Sequence, residues 1–333
     1  MHPPISVKIT GTGQYLPEKI VSSTMLEEQL GLANGFITHR NGVATRHVAD
    51  QTLGETSSGM AAKAAEMAIQ NAGCNPEDLD LIVYASASPE FGLPDTAPLV
   101  QEKLGLGRSG IACFSIDSTC LSFLTALDIC SSLIATQRYN RVLIVSSEIA
   151  SVTLNPKDPK TFTLFGDGAA AVVLERTPKG ESSSFQSVHF STFGEAALYT
   201  QVVGCGTKQH ANNPQTTFED NTFSMRGREI MLYSLRMAPA VFEKIWPGLS
   251  KGLGDISLVL PHQPSKVGMG AFARFFPSDK IVHTLREYGN CVSVSLPLTL
   301  HKAVTTGRLQ RGQRALLVGT GAGLSIGGIV FDY

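Results

Sequence analysis

Three polar residues in this sequence lie where nucleophilic chemistry could be carried out, and Cys120 is the first. It follows the polar run 117–119 and precedes an apolar segment, so the sequence predicts that it stands at the beginning of a helix. Unpaired N–H groups and the positive dipole end favour a thiolate there, and any oxyanion formed beside it. Residues 115–139 alone favour a buried structural cysteine instead, since free cysteine is commonly buried. The rest of the chain reverses that preference.

The other two candidates lie in the second half of the chain. His262 follows the predicted strand 258–260, and the carboxyl end of a strand is a common place for ligand contacts in α/β sheets. Asn290 follows Gly289 in a predicted turn before a helix that Pro297 can open. We interpret Asn290 as a neutral hydrogen-bond donor to a carbonyl or enolate oxygen. A structural histidine and a turn-forming asparagine are the alternatives.

A glycine loop near the end of the chain could supply an oxyanion hole. The sequence GTGAG at 319–323 follows a predicted strand, and residues 324–331 read as another strand. No helix N-terminus is therefore available for a pyrophosphate, which excludes a dinucleotide site. Gly321 and Gly323 on either side of Ala322 would let backbone N–H groups approach a reacting centre closely.

Alternating strands and helices should position these residues. Thr56 or Ser57 can cap a long helix that ends before Gly73. The apolar residues of the run 78–86 are consecutive rather than alternating, which predicts a buried strand. The segments 78–83 and 141–145 recur at 255–260 and 314–318, in both cases after about 175 residues. We predict an α/β protein of two similar halves, residues 1–180 and 181–333, with the chemistry at their junction.

Composition excludes several classes of protein. The 333 residues carry a net charge of −1, which gives no field for nucleic acid or anionic lipid. No long apolar run or signal peptide is visible, so we expect a cytoplasmic protein without membrane contact. The six cysteines form no C-x-x-C pair, which favours free thiols, and no metal-ligand spacing appears.

The ordered residues Cys120, His262 and Asn290 resemble those of the β-ketoacyl-ACP synthase III family of thiolase-fold condensing enzymes. The resemblance covers essentially the full length and includes the sequences ITGTGQYLPE, DSTC, FGDGAAAVVL, PHQ and YGN. It implies a thiolase-like fold with layers αβαβα and a homodimer. Cys120 would be the acylated nucleophile, whereas His262 and Asn290 would bind the second thioester carbonyl.

The resemblance also implies which molecules the protein meets. Coenzyme A or phosphopantetheine thioesters would be substrates, with acyl-CoA or acyl carrier protein as partner and no bound cofactor. Phe36 aligns with an aromatic residue that stacks on the coenzyme A adenine, and Arg40 with a basic residue near its phosphates. Lys266 belongs to the same predicted binding region. A core aromatic and a surface charge are the alternatives for Phe36 and Arg40.

Several positions depart from the pattern of relatives that start fatty-acid synthesis. Residues 264–267 (PSKV) replace a segment with Asn and Arg, Thr320 replaces a bulky aromatic, and Leu93 fills a gate position that is often Phe. Thr320 and Leu93 are therefore candidate acyl-pocket residues. Olefin-pathway relatives carry a Glu near the position of Leu93, and Glu90 is the nearest acid here.

Three functions remain open from the sequence. We favour an acyl-thioester condensing enzyme that forms a β-ketoacyl product by Claisen condensation, most simply a decarboxylative one. The alternatives are an acyltransferase that passes the Cys120 acyl group to an oxygen or nitrogen, and a non-catalytic partner subunit. Retention of both His262 and Asn290 favours condensation, because O-acylation needs a base more than an enolate site.

Overall fold

The structure is a computed structural model and describes residues 3–333. The strands are β1 (Val7–Tyr15), β2 (Ile20–Ser22), β3 (Thr45–His47), β4 (Leu81–Ala85), β5 (Ala112–Ile116), β6 (Arg141–Glu148), β7 (Gly168–Arg176), β8 (Ser184–Thr192), β9 (Thr200–Gln201), β10 (Ser224–Met225), β11 (Leu258–Pro261), β12 (Arg314–Gly321) and β13 (Ser325–Asp332). The helices are α1 (Ser23–Leu30), α2 (Phe36–Arg40), α3 (Ser57–Ala72), α4 (Thr96–Lys103), α5 (Ser122–Ala135), α6 (Pro159–Phe162), α7 (Gly227–Ile245), α8 (Lys266–Phe272), α9 (Leu285–Tyr288) and α10 (Ser295–Thr305).

Two sheets of the same design form the centre of the molecule. The first has the strand order β1-β7-β6-β4-β5, and the second has the order β8-β13-β12-β11. In each sheet the first two neighbouring pairs are antiparallel and the next pair, β6 with β4 or β12 with β11, is parallel. The second sheet thus repeats four strands of the first, whereas the boundary between halves at residue 180 stays a prediction.

The repeat extends to a cross-strand ion pair. Arg141 begins β6, and its Nε lies 2.8 Å from Oε1 of Glu175 directly opposite on β7. Arg314 begins β12, and its Nε lies 2.7 Å from Oδ1 of Asp332 directly opposite on β13. Each arginine also pairs with an aspartate near the parallel neighbour strand, Asp78 in the first half and Asp255 in the second. Corresponding residues therefore make corresponding contacts in the two sheets.

The core clusters show five layers. One cluster joins α5 and α10 to the inner faces of both sheets, so these two helices form the central layer. A second joins α3 and α4 to the outer face of the first sheet, and a third joins α7 and α8 to the outer face of the second. Along β4, Leu81 and Val83 face the centre whereas Ile82 and Tyr84 face α3, as strand alternation requires. The predicted αβαβα thiolase-like fold is confirmed.

The sequence predicted both ends of α3 correctly but placed the start of the helix after Cys120 slightly too early. Thr56 caps α3 by accepting a hydrogen bond from the Gly59 N–H at 3.1 Å, and α3 ends at Gly73 with φ 69°. Cys120, however, is not the first residue of a regular helix. It lies in the 3₁₀ turn Thr119–Leu121, which leads into α5. Among the described residues 3–333, no helix combines the length and apolar character needed to cross a membrane.

Candidate active site

The turn that carries Cys120 is held by its own polar side chains. Asp117 Oδ1 accepts from the Thr119 N–H at 2.8 Å, and Ser122 Oγ accepts from the Ser118 N–H at 3.0 Å. Thr119 has φ 53°, which is uncommon for a residue other than glycine. This left-handed residue reverses the chain sharply between β5 and α5. Cys120 is therefore presented at the carboxyl end of the first sheet.

The Cys120 thiol lies in a site that disfavours its charge. Burial raises the pKa of Cys120 to about 12, and the negative charge of Glu148 adds to that increase. The N–H groups of Ala322 and of Cys120 itself face the sulfur and act in the opposite direction. The expectation of a lowered thiol pKa is thus wrong for the unliganded chain, because desolvation outweighs the backbone donors. The resting thiol is protonated at neutral pH.

Strand β12 lies between the Cys120 turn and the histidine of the second half. A Cβ on Gly319 would lie 2.9 Å from Cβ of His262 and 3.1 Å from Cδ2 of Leu121. A Cβ on Gly321 would lie 3.0 Å from Oγ1 of Thr119. The glycines of this strand are needed for the close approach of the two halves. No nucleotide-binding helix follows, since β13 begins at Ser325.

His262 continues β11 and is nearly inaccessible to solvent. Its backbone N–H donates to the Val318 carbonyl at 2.9 Å, which fixes it against β12. Burial lowers the pKa of His262 to about 4, so the imidazole is neutral at pH 7. Its Nδ1 is buried and has no hydrogen-bond partner in the described chain. Gln263 holds the following turn, because its amide bonds the carbonyls of Pro261 and Val282, each at 3.0 Å.

Asn290 is fixed by both its backbone and its side chain. Its N–H donates to the Leu164 carbonyl at 3.0 Å, and its carbonyl accepts from the Gly166 N–H at 3.1 Å. Its Oδ1 accepts from the Val292 N–H at 2.9 Å, and its Nδ2 donates to the Pro264 carbonyl at 3.2 Å. These contacts orient the amide and leave one N–H of Nδ2 for a ligand.

The two halves bring the three predicted residues into one region. The 3₁₀ turn Thr119–Leu121, which holds Cys120, packs against both β12 and the 3₁₀ turn Val292–Val294 that follows Asn290. His262 lies across Gly319 from the same turn. Cys120, His262 and Asn290 thus come from separate parts of the chain to the junction of the two sheets. A thiol, a neutral imidazole and an oriented amide are the groups that acyl transfer to carbon requires.

A fourth residue of this region, Glu148, was missed at the sequence level. It is completely buried at the end of β6, where Oε1 accepts from the Ala87 N–H at 2.7 Å and from Ser293 Oγ at 2.5 Å. Ser88 Oγ donates to Oε2. Burial raises the pKa of Glu148 to about 7 despite these hydrogen bonds. The available signal was a polar side chain directly after the apolar residues of a predicted strand. The same signal identified His262.

The residues predicted to bind the carrier of the acyl group lie in α2 or contact it. Lys266 donates its backbone N–H to the Asn41 carbonyl at 2.9 Å and its Nζ to the His39 carbonyl at 3.0 Å. Arg40 is exposed next to them. Phe36 is half-buried against the core between the second sheet and α7. Phe36 and Arg40 thus lie one turn apart on α2, and Lys266 contacts the carboxyl end of the same helix.

The predicted gate residues differ in their surroundings. Thr320 is half-buried in β12 between the two site glycines, whereas 90% of Leu93 is exposed. At that exposure Leu93 lines no enclosed cavity of a single chain. Glu90, the nearest acid, accepts a hydrogen bond from the Ser58 N–H at 2.6 Å and so caps α3. Among the described residues, no group of three metal-ligating side chains is found.

Comparison with known proteins agrees with this geometry. The family model described as 3-oxoacyl-[acyl-carrier-protein (ACP)] synthase III matches residues 114–194, and its C-terminal companion matches residues 250–333. The chain is 31% identical over 331 residues to β-ketoacyl-[acyl-carrier-protein] synthase III of Aquifex aeolicus, covering 99% of this chain and 100% of that protein. It is 34% identical over 332 residues to the synthase III of Methylococcus capsulatus, covering 98% of each.

Solved structures show the same similarity in three dimensions. The Aquifex aeolicus synthase III crystal structure superposes with a TM-score of 0.86 and 31% identity, covering 98% of this chain and 100% of that one. OleA of Xanthomonas campestris gives a TM-score of 0.86 at 21% identity, with both chains fully covered, which shows the shared fold. The chain therefore belongs to the β-ketoacyl-[acyl-carrier-protein] synthase III family and is a condensing acyltransferase with the thiolase fold.

Proposed function

We propose that Cys120, His262 and Asn290 carry out a two-step condensation of acyl thioesters in this chain. The observation that carries the proposal is the contact between the Cys120 turn and the turn after Asn290, with His262 across Gly319. Acyl-CoA or acyl carrier protein would deliver the groups, as the names of the relatives imply.

In the first step the Cys120 sulfur attacks the carbonyl carbon of an acyl thioester. A new sulfur–carbon bond forms, the old one breaks, and the carrier leaves as a free thiol that takes the proton of Cys120. The N–H groups of Cys120 and Ala322, which face the sulfur, would hold the oxyanion of the tetrahedral intermediate. Because burial raises the pKa of the Cys120 thiol to about 12, only a small fraction of it is ionised at neutral pH before attack.

In the second step a malonyl-type thioester loses carbon dioxide and becomes an enolate. Its oxygen accepts hydrogen bonds from the neutral imidazole of His262 and the free N–H of Asn290. The enolate carbon then attacks the acyl-Cys120 carbonyl, and the Cys120 thiolate leaves and takes up a proton from solvent, which restores the resting thiol. The product is a β-ketoacyl thioester. Neutral donors suit this step, because a carboxylate in the place of Asn290 would repel the enolate.

Single-turnover measurements on three variants test these roles. Cys120→Ala should form no acyl-enzyme by intact mass, whereas His262→Ala and Asn290→Ala should acylate but condense about 100-fold more slowly. Release of carbon dioxide from a malonyl donor separates condensation from transfer to oxygen or nitrogen. Parental condensation rates in both His262→Ala and Asn290→Ala would refute the assignment.

We further propose that Phe36, Arg40 and Lys266 bind the carrier of the acyl group. The support for this proposal is that Phe36 and Arg40 lie one turn apart on α2 and that Lys266 Nζ bonds the His39 carbonyl of the same helix. Arg40→Ala should raise KM for a coenzyme A thioester and leave kcat unchanged, because it removes binding common to ground and transition states. Arg108→Ala, an exposed arginine after α4, is the matched control. An unchanged KM for Arg40→Ala would count against this surface.

The protein is also proposed to act as a homodimer in the cytoplasm. Strand β5 is the unpaired edge of the first sheet, and apolar side chains beside it are exposed: Phe91 by 52%, Leu93 by 90% and Phe114 by 36%. An exposed apolar edge strand is normally covered. Pairing of two β5 strands would bury it and let Leu93 act at the acyl pocket of the partner.

The oligomeric state can be measured by size-exclusion chromatography with light scattering. Phe114→Lys should convert the dimer into a monomer, because a charge on the edge strand opposes pairing. Leu53→Lys places the same charge at a 62% exposed leucine elsewhere and should remain dimeric. A parental protein that elutes as a monomer would refute the dimer.

A further inference from the structure

The buried carboxyl group of Glu148 is not used in the two chemical steps above, although it lies at their junction. Strands β4, β5 and β6 are parallel, so their carboxyl ends share one edge of the first sheet. Strand β5 leads from this edge into the Cys120 turn, and β6 ends there at Glu148. The charge of Glu148 is near enough to Cys120 to oppose ionisation of the thiol.

Glu148 joins three segments of the chain through its two oxygens. Ala87 and Ser88 belong to the loop after β4, which continues toward Leu93. Ser293 belongs to the second half and donates to Oε1 at 2.5 Å. Since Glu148 itself ends the central strand β6, one side chain connects both halves of the molecule with the predicted gate loop.

The bond to Ser293 bears directly on Asn290. Ser293 is the middle residue of the turn Val292–Val294, and the Val292 N–H donates to Asn290 Oδ1 at 2.9 Å. Val292 has φ 49°, which is a strained conformation for a β-branched residue. Such strain persists only where surrounding contacts impose it. The hydrogen bond from Ser293 to Glu148 is one of these contacts.

We infer that Glu148 is a positioning residue for condensation, which orients the Asn290 amide through Ser293 and keeps a titratable negative charge beside Cys120. The inference rests on the proposed roles of Cys120 and Asn290. It predicts two separable effects, one on the enolate step through geometry and one on thiol ionisation through charge. A residue with a merely structural role would produce neither effect selectively.

The charged and titratable groups around Glu148 set the sign of the charge effect. Tyr84 on β4, Asp117 and Cys120 at the nucleophile turn, and Cys291 beside Asn290 all interact with its charge. Each of these groups is neutral when protonated and negative when deprotonated. An ionised Glu148 therefore disfavours a second negative charge on any of them. Replacing Glu148 with glutamine must therefore lower the pKa of the Cys120 thiol.

Three variants separate the two effects. Glu148→Gln removes the charge and alters the contacts, whereas Ser293→Ala removes the tie to Asn290 and leaves the charge. Glu55→Gln is the matched control, because Glu55 is also buried but bonds Tyr15 and the backbone N–H groups of Glu18 and Asp50. Each variant is measured for acyl-enzyme formation, for condensation and for the pH dependence of Cys120 alkylation by iodoacetamide.

We expect Glu148→Gln and Ser293→Ala to form the acyl-enzyme at least as fast as the parent and to condense about tenfold more slowly, the size of a lost hydrogen bond to a charged group. Above pH 8, Glu148→Gln should alkylate about threefold faster than the parent, whereas Ser293→Ala and Glu55→Gln should follow the parental profile. The inference is overturned if Glu148→Gln condenses at the rate of Glu55→Gln or keeps the parental alkylation profile. Alkylation needs no substrate, so absence of condensation in the parent would refute only the proposed function.

Discussion

At neutral pH the site holds neutral donors where the substrate charge must develop. Burial keeps His262 unprotonated and Cys120 protonated, so neither residue carries a charge before substrate arrives. In the proposed mechanism, charge appears only during the reaction, first on the thioester oxygen and then on the enolate. Fixed hydrogen-bond donors directed at the position where charge develops stabilise the transition state more than the ground state. The same burial that makes the resting thiol a weak acid thus strengthens the donors around it.

The amide of Asn290 permits a sharp test of this electrostatic argument. In Asn290→Asp an oxygen can still accept from the Val292 N–H, but the donor is lost and a negative charge faces the enolate. Condensation should fall by about 10²–10³-fold, while acyl-enzyme formation by intact mass stays at the parental rate. The control is Asn71→Asp, which removes an amide that donates to the Thr12 carbonyl at 2.7 Å, remote from the site. Equal losses of condensation in both variants would contradict the role of Asn290.

The loop between β4 and α4 contains an acid whose role its contacts define. Glu90 bonds the Ser58 N–H at the beginning of α3, where a negative charge meets the positive end of the helix. We expect Glu90→Gln to lower the free energy of unfolding by about 0.5–1 kcal/mol and to leave kcat within about twofold. Urea denaturation and a condensation assay measure the two quantities. A loss of kcat without a loss of stability would instead make Glu90 the counterpart of the acid found in olefin-pathway relatives.

The repeated ion pairs of β6–β7 and β12–β13 provide an internal comparison. Arg314 contacts both oxygens of Asp332, with Nη2 3.0 Å from Oδ2, whereas Arg141 contacts one oxygen of Glu175. Paired guanidinium–carboxylate bonds are stronger than single ones. Asp332→Asn should therefore cost about 1 kcal/mol of unfolding free energy and Glu175→Gln about half as much, since both pairs are partly screened by solvent. Urea denaturation that gives the reverse order would contradict this explanation.

Sequence patterns predicted elements whose signals are local. The cap at Thr56, the stop at Gly73 and the apolar run of β4 each depend on neighbouring residues, and all were recovered. His262 was found because a strand end is visible in the sequence. The pKa direction of Cys120 was not predictable, because it depends on burial by the second half. The contacts of Glu148 were missed for the same reason, since they join three segments far apart in the chain.

Across the whole molecule, the duplication explains why the chemistry lies between the halves. Each half contributes one sheet and one helix of the central layer, α5 after Cys120 and α10 after Asn290. Parallel strands of both sheets deliver their carboxyl ends to the junction, where loops differ although the strands correspond. In the proposed mechanism, one half carries the nucleophile and the other carries the donors for the enolate. Symmetric frameworks with unlike loops allow this division of roles.

Two buried groups at this junction should make opposite contributions to the stability of the entire fold. Folding lowers the pKa of His262 from 6.5 to about 4. Between these values only the unfolded chain binds the proton, so the fold loses stability as the pH falls. Folding raises the pKa of Glu148 from 4.5 to about 7. Between these values only the unfolded chain releases the proton, so the fold loses stability as the pH rises. Between pH 4.5 and 6.5 the changes that these two residues cause in the unfolding free energy have opposite signs and nearly cancel.

Single variants should reveal the hidden slopes. From pH 4.5 to 6.5, the unfolding free energy of Glu148→Gln should rise by about 2 kcal/mol relative to that of the parent, because the variant lacks the loss that Glu148 causes. That of His262→Gln should fall by about the same amount relative to the parent, because the variant lacks the gain that His262 causes. Urea denaturation followed by the fluorescence of Trp246, the single tryptophan, measures both. The double variant should restore the parental pH dependence, and differences from the parent of equal sign in the two single variants would show that these groups do not titrate as their burial requires.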